Sequence, residues 1–452
     1  MKRRDLLRLS AVPFLGAARA QQPDARPNIV FIMADDMGVY DLGCYGQKHI
    51  RTPHMDRVAA EGMRFTDCYA GASVCAPARS TLMTGQHTGH TTVRANASTA
   101  TGRRVPLRQD DKTVAEFLKG PEWRGSFDEE RAYKTAVIGK WGLGEPGTTG
   151  LPNDHGFDEW YGFLNQQHAH SHYPLYLWRN KTREPIKGNS HGARREYASD
   201  LFEREALYFI DRHRYEPFFL YFTPTVPHAK FEVPDLGPYA NEPWPEEAKN
   251  YAAMVTRMDR YVGSIMAKLK ETGLDERTLV FVTSDNGGTS DFKPFNTWGP
   301  LRGQKGAIYE GGLRVPMLAR WPGKIQPGSV SSMPWAFYDL LPTAADLAEV
   351  RGIPRTVDGI SIVPTLLGKQ QNTDRPLYWE QYSGGFQQAV RMGRWKGIRK
   401  GLDGPLVLYD LAADIGETKD IASANPAIVR KMVDYLATCR TDSPDYLAVP
   451  GR

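Results

Sequence analysis

The 452-residue sequence predicts an α/β fold: a large, mainly parallel sheet flanked by helices, followed by a smaller C-terminal α+β unit carrying an antiparallel sheet. Three observations predict it. Short apolar runs without alternation, NIVFIMA at 28–34, TAVIG at 135–139, FFLYF at 218–222 and LVFVT at 279–283, have the texture of strands buried on both faces. Segments of helical periodicity separate them, and strands alternating with helices give a parallel sheet. All four runs lead into polar or charged clusters, and in such sheets ligands gather beyond the carboxyl ends of the strands.

The chain opens MKRRDLLRLSAVPFLGAARA, with a basic start, a short apolar stretch from Leu9 to Ala18 and small residues at Ala18 and Ala20, the pattern of an export signal. Arg3-Arg4 followed by Leu6-Leu7 and Arg8 has the form of a bacterial twin-arginine signal, so a periplasmic or extracellular destination is expected. Residues 1–20 hold +4 of the formal net charge of +5. The basic balance therefore belongs to the leader and gives no reason to expect nucleic-acid binding. No later run of about 18 apolar residues exists, so no membrane span is expected.

Hydrophobic residues at 41% and charged residues at 24% suit a globular enzyme with ample chain for its own core. Ten Trp and 21 Tyr fit a carbohydrate or aromatic ligand and a large core equally well. The four cysteines, Cys44, Cys68, Cys75 and Cys439, show no zinc spacing. In an exported protein Cys44 and Cys68 are the expected disulfide pair.

The first unit, residues 21–368, is read as catalytic. Its helices include Tyr251–Leu274, where Met254, Val255, Met258, Tyr261, Val262, Ile265, Met266 and Leu269 form one stripe that stops at Gly273. Ser199 is the expected cap of a helix over 200–213. In the second unit, 369–452, strands are expected at 376–381, 388–399 and 405–411, and a helix from Pro426 after Asn425.

Asp35 and Asp36 at one strand end, with Asp285 and Asn286 at another, offer four hard oxygen ligands without His or Cys in those motifs. The set suits Ca²⁺, or less well Mg²⁺, rather than zinc. In SVCAPARSTLMTG (73–85), Cys75 precedes Pro77 in the first turn of an expected helix, and Arg79 lies one turn on, beside residue 75. The helix N-terminus favours anions, and a thiolate placed there would be activated. By themselves these residues suggest an anion-handling group over a hard dication.

The run Cys75-Ala76-Pro77-Ala78-Arg79 followed by STLMTG resembles the C-x-P-x-R signature of the type I, arylsulfatase-like sulfatases. NIVFIMADDMG, GKWGLG, HGFDEWYGF, VPHAKFEVP, TSDNGG, LRGQKGAIYEGGLRVP and LYDLAADIGETKDIA resemble further blocks of that family, in family order, over nearly all of the chain after the leader. The resemblance implies an alkaline phosphatase-like fold. It also implies that a formylglycine-generating enzyme oxidises Cys75 to formylglycine before export, reading Pro77 and Arg79 as part of its signal. In the family scheme a hydroxyl of the hydrated aldehyde attacks the sulfur of a sulfate ester, and the second hydroxyl later expels sulfate, a step that serine could not perform.

Carried over by position, Asp35, Asp36, Asp285 and Asn286 hold Ca²⁺ with the modified Cys75, and Arg79 stabilises the diol oxygen. The resemblance further implies that Lys140 and Lys305 clamp sulfate oxygens and that His228 lies near the leaving group. Many sulfatases have His where this chain has Gly142. His168 and His170 of QHAHSH (167–172) are the candidate replacements in substrate binding, because alternate residues of an extended segment share a face; Trp178 and Arg179 are candidates for the pocket wall. A sulfated carbohydrate is the expected substrate, ahead of an aryl sulfate. Two rival readings stay open: a phosphomonoester or phosphonate hydrolase of the same superfamily, and a non-catalytic sulfated-glycan-binding protein, which Gly142 alone favours.

Overall fold

The computed structural model describes residues 26–120, 132–372 and 374–449, so the leader over residues 1–20 lies outside the described residues. In chain order its strands are β1 (Asn28–Ala34), β2 (Met63–Phe65), β3 (Cys68–Tyr69), β4 (Lys134–Lys140), β5 (Glu159–Phe163), β6 (Tyr176–Arg179), β7 (Thr182–Pro185) and β8 (Phe218–Thr223). There follow β9 (Thr278–Ser284), β10 (Met317–Arg320), β11 (Ser329–Ser331), β12 (Trp335–Ala336), β13 (Leu377–Gln381), β14 (Gln387–Met392), β15 (Trp395–Lys400) and β16 (Val407–Asp410). Ten of them form one sheet in the order β11-β2-β10-β9-β1-β8-β4-β5-β6-β7. Its centre, β9-β1-β8-β4-β5, is parallel throughout. The four apolar runs are thus four neighbouring parallel strands, and their carboxyl ends lie side by side.

The unalternating runs are explained by the layers on either side. Val30, Ile32 and Ala34 of β1 enter one core cluster, with residues of the helices Ala198–Arg212 and Glu246–Glu271. Ile29, Phe31 and Met33 enter the other, with the helices Cys75–Thr84, Val114–Lys119 and Leu340–Leu347. Both faces of the strand are dry, so apolar side chains are required at every position. Each fully buried Phe, Leu or Val contributes roughly 1.5–3 kcal/mol.

The expected disulfide between Cys44 and Cys68 is not present: all four cysteines are free. Cys44 packs against the first cluster and Cys68 lies within the second, so the sheet stands between the layers they belong to. The Ser199 cap is also corrected. The helix begins at Ala198 with Tyr197 in the cap position, which leaves Ser199 buried inside the first turn with no hydrogen-bond partner for its hydroxyl. The long helix starts earlier than its apolar stripe, at Glu246, and ends at Glu271; Gly273 follows with φ +72°.

In the C-terminal unit β13-β14-β15-β16 form a separate antiparallel sheet. The stretch 388–399, expected as one strand, is a hairpin, because Met392 pairs with Trp395 across Gly393-Arg394 and Gly393 takes a left-handed φ of +58°. The helix Pro426–Leu436 begins where expected. The small sheet is fastened to the catalytic unit by fully buried Lys396 of β15, whose ammonium meets Glu310 and Glu417 at 2.9 Å each. Trp379 of β13 donates its indole N–H to the carbonyl of Ala70, just before the Cys75 helix, at 2.8 Å. No helix among the described residues is long and apolar enough to cross a membrane.

Asp41, in the turn after β1, is buried with its Oδ2 accepting from Gly38 N (2.7 Å) and Tyr251 OH (2.6 Å). Burial pushes its pKa up to about 7 despite both hydrogen bonds, and Asp291 pushes the same way. A carboxyl raised above its unfolded value holds its proton in the native state, so the benefit is full below the unfolded pKa and is lost as pH rises through about 7. Asp41→Asn should therefore stabilise the fold by about 2–4 kcal/mol near pH 8 and do little near pH 4. Urea unfolding at the two pH values measures this; an equal effect at both would refute it.

Candidate active site

The carboxyl ends of β9, β1, β8 and β4 converge on the start of the helix Cys75–Thr84. Asp35 and Asp36 directly follow β1, Asp285 and Asn286 follow β9, Lys140 ends β4, and the loop after β8 brings His228. Each position follows from the sheet: a residue one step past a buried strand leaves the apolar layer while its backbone is still held by its neighbours. Asp285 N donates to Ala34 O at 3.0 Å, and Asp36 N donates to Asp285 Oδ1 at 3.1 Å, so the two ligand pairs are locked together. Asp36 itself sits at φ +71°, a conformation favoured in short polar residues among non-glycines.

Arg79 is the hub. It is fully buried, with Nη2 donating to Asp285 Oδ2 at 2.8 Å and lying 3.9 Å from Asp35 Oδ2. Its Nη1 donates at 2.6 Å to both Thr223 Oγ1 and Lys140 O. Around it, Lys140 Nζ donates to Asp35 Oδ2 and Lys305 Nζ to Asp36 Oδ2, each at 2.8 Å. Burial would discharge both ammonium groups, but Asp35 beside Lys140, and Cys75 with Asp36 beside Lys305, raise both above the ordinary lysine value. Burial likewise works against the Asp35 carboxylate, and Lys140, His228 and Arg79 overcome it, holding Asp35 well below the usual range.

Cys75 is the first residue of its helix and its Sγ lies 3.6 Å from Asp35 Oδ1. The helix N-terminus does not by itself activate the cysteine. Burial, reinforced by Asp285, pushes the thiol up to about 12 although Lys140 and Lys305 pull the other way. A helix terminus cannot offset full desolvation beside two carboxylates.

His228 Nδ1 meets Ala229 O, and its Nε2 faces the cluster. That atom lies 3.2 Å from Lys305 Nζ and 3.5 Å from Asp36 Oδ2. His170 stacks on His228 with ring centroids 4.6 Å apart. Burial, His228 and Lys140 bring the His170 pKa down to about 4, so this ring is neutral at ordinary pH. His168 goes elsewhere and packs against Phe163 and Tyr176. The stretch His168–His170 is a 3-10 turn rather than extended chain, so alternate residues do not share a face. Arg179 is tied to Glu184 and Glu205, away from the cluster.

Sequence reasoning missed His172, which is buried and meets His228 O through Nε2 at 3.1 Å, and Thr223, whose only signal was its place at the end of an apolar run. It also missed why residue 142 is glycine. Its φ is +83°, and a Cβ there would lie 2.5 Å from Gln166 Nε2. The slot is already taken by Gln166.

The donor set fits a hard cation. Ligand atoms of Asp35, Asp36, Cys75 and His228 all lie within 4.8 Å of one another. Asn286 donates Nδ2 to Asp36 Oδ1 at 2.7 Å, while its Oδ1 is buried with no partner. An oxygen orphaned among carboxylates is what a bound cation satisfies.

The family model for sulfatases matches residues 27–350, and that for the C-terminal part of N-sulphoglucosamine sulphohydrolase matches 303–442. N-acetylgalactosamine-6-sulfatase of Canis lupus familiaris is 34% identical over 433 residues, covering 88% of this chain and 78% of the relative. The chain belongs to the sulfatase family. As a sulfatase it is a sulfuric ester hydrolase, with the alkaline phosphatase-like architecture of that family. Human arylsulfatase A is 31% identical, with 90% of this chain and 86% of the relative covered. The sulfatase fold also superposes on the crystal structure of Ps i-CgsB in complex with k-i-k-neocarrahexaose, with a TM-score of 0.79, 29% identity, and 93% and 95% of the two chains covered.

Proposed function

We propose that this sulfatase hydrolyses sulfate esters of carbohydrates outside the bacterial cytoplasm, using formylglycine made from Cys75 and a Ca²⁺ ion held by Asp35, Asp36, Asp285 and Asn286. The observation that carries the reading is the convergence of three cations and three carboxylates on residue 75. A carbohydrate substrate is supported by the names of the relatives: an N-acetylgalactosamine-6-sulfatase at 34% identity, and a structure holding a neocarrahexaose at 29%.

When present, Ca²⁺ supplies a Lewis-acid charge and formylglycine supplies a hydroxyl nucleophile. The chain's own residues do the rest. Lys140 and Lys305 are kept charged inside a dry site, where they attract sulfate oxygens far more strongly than in water. Arg79 holds Asp285 and the carbonyl of Lys140 in register, so the cluster is already assembled before substrate arrives. The pair His228 Nε2 and Lys305 Nζ, 3.2 Å apart, can hold a proton for the departing alcohol. His170, neutral and stacked on His228, is the candidate base in a chain that lacks a histidine at 142.

Parallel assays on aryl sulfate and aryl phosphate test the proposal. A preference for sulfate of at least about a hundredfold is expected; a comparable preference for phosphate would install the rival hydrolase. Release of no sulfate by protein whose 64–94 peptide is about 18 Da light, as formylglycine requires, would install the non-catalytic binder. Chelation with EGTA should remove the activity and added Ca²⁺ restore it.

A further inference from the structure

Gly142 lines a cavity of about 530 Å³, a volume within the roughly 300–1,000 Å³ of small-molecule sites. From its place in the fold we infer that this cavity is a subsite for a second sugar unit of the substrate, one that carries a negative charge; the inference rests on the sulfatase reading above. The cavity shares two walls with the catalytic cluster. Asn96, on one side, accepts the N–H of Ala76, the residue after Cys75, at 3.0 Å. Gly142, on the other, is two residues past Lys140, and a Cβ at this position would lie 3.7 Å from Arg79 Cδ.

The lining is that of a site for a polar ligand. Asn96 and Asn165 line it with side-chain amides, and several glycines expose backbone. The far wall is cationic. Arg104 is already held by Glu145, but Arg103 has no carboxylate partner among the described residues. An anionic substituent on the neighbouring sugar, a carboxylate or a further sulfate, is the group that an unengaged guanidinium would hold.

The test uses full-length matured enzyme, at low ionic strength because Arg103 is exposed. Three sulfated disaccharides are compared, with a neutral, a uronate-bearing and a second-sulfate-bearing neighbour, beside p-nitrophenyl sulfate. Arg103→Glu should lower kcat/KM on one or both charged disaccharides by at least about tenfold, and leave the neutral disaccharide and the aryl sulfate within about twofold. Which charged arm falls further tells carboxylate from sulfate. Equal losses on all four substrates, or no loss on the charged pair, would overturn the subsite while leaving the hydrolase intact. Calorimetric binding of the same disaccharides to Cys75→Ala protein gives a readout without turnover: an Arg103-dependent Kd there, alongside no sulfate release by the matured wild-type protein, would keep the subsite and remove the hydrolase.

Discussion

Cys75→Ala should lower sulfate release by at least about 10⁴-fold, to the background of the assay, in a protein that still folds. The size of the effect follows from where residue 75 stands. On the formylglycine reading it is the precursor of the nucleophile, and the buried thiol itself is a poor one. Burial, reinforced by Asp285, pushes the thiol up to about 12 and keeps it protonated at neutral pH. Protein made without a modifying enzyme should therefore be as inactive as Cys75→Ala, and the two should differ only in mass. Cys75→Ser sharpens the expectation, since it keeps one hydroxyl beside Asp35 and lacks the second. It should take up at most one sulfate per chain, visible as a gain of about 80 Da, and then stop. Sustained turnover by Cys75→Ser, or by chain carrying the unmodified thiol, would mean that oxidation of residue 75 is not what this site was built around.

Much of this was legible before any coordinates, and the reason is topological. Burial on both faces of a parallel sheet forces continuous apolar runs, and a strand that leaves the core must end in polar residues, so 35–36, 140 and 285–286 announced themselves. The neighbouring order of β9, β1, β8 and β4 then placed them together. What stayed hidden depends on contacts between distant segments. Nothing in the spacing of Cys44 and Cys68 says that they belong to opposite layers. Nothing around Gly142 says that Gln166 occupies the space beside it. The polar run at 167–172 permits either an extended or a turning backbone, and the turn decides that His170, and not His168, meets His228. Ser199 failed as a cap for a local reason: Asp200 N and Leu201 N are already satisfied by the carbonyl of Tyr197.

The largest stability effect is expected at Arg79, because its charge is shared among more partners than any other in the cluster. Arg79→Leu leaves Asp285 buried with its cation gone and deprives Thr223 Oγ1 and Lys140 O of their donor. Breaking a buried pair from one side costs about 3–5 kcal/mol, and activity should fall by at least about 10³-fold because Lys140 and Asp35 lose their register. Arg79→Lys should recover little of either, since one ammonium cannot reproduce a fork that reaches Asp285 with one nitrogen and two oxygens with the other. The attribution can be checked in EGTA, where cation binding cannot blur the comparison. There Arg79→Leu combined with Asp285→Leu should be more stable than Arg79→Leu alone by about 2 kcal/mol or more, because both halves of the ion pair leave together. If the double variant is instead no more stable than the single one, the loss at Arg79 comes from packing around the helix Cys75–Thr84, and the buried charge is not what organises the strand ends.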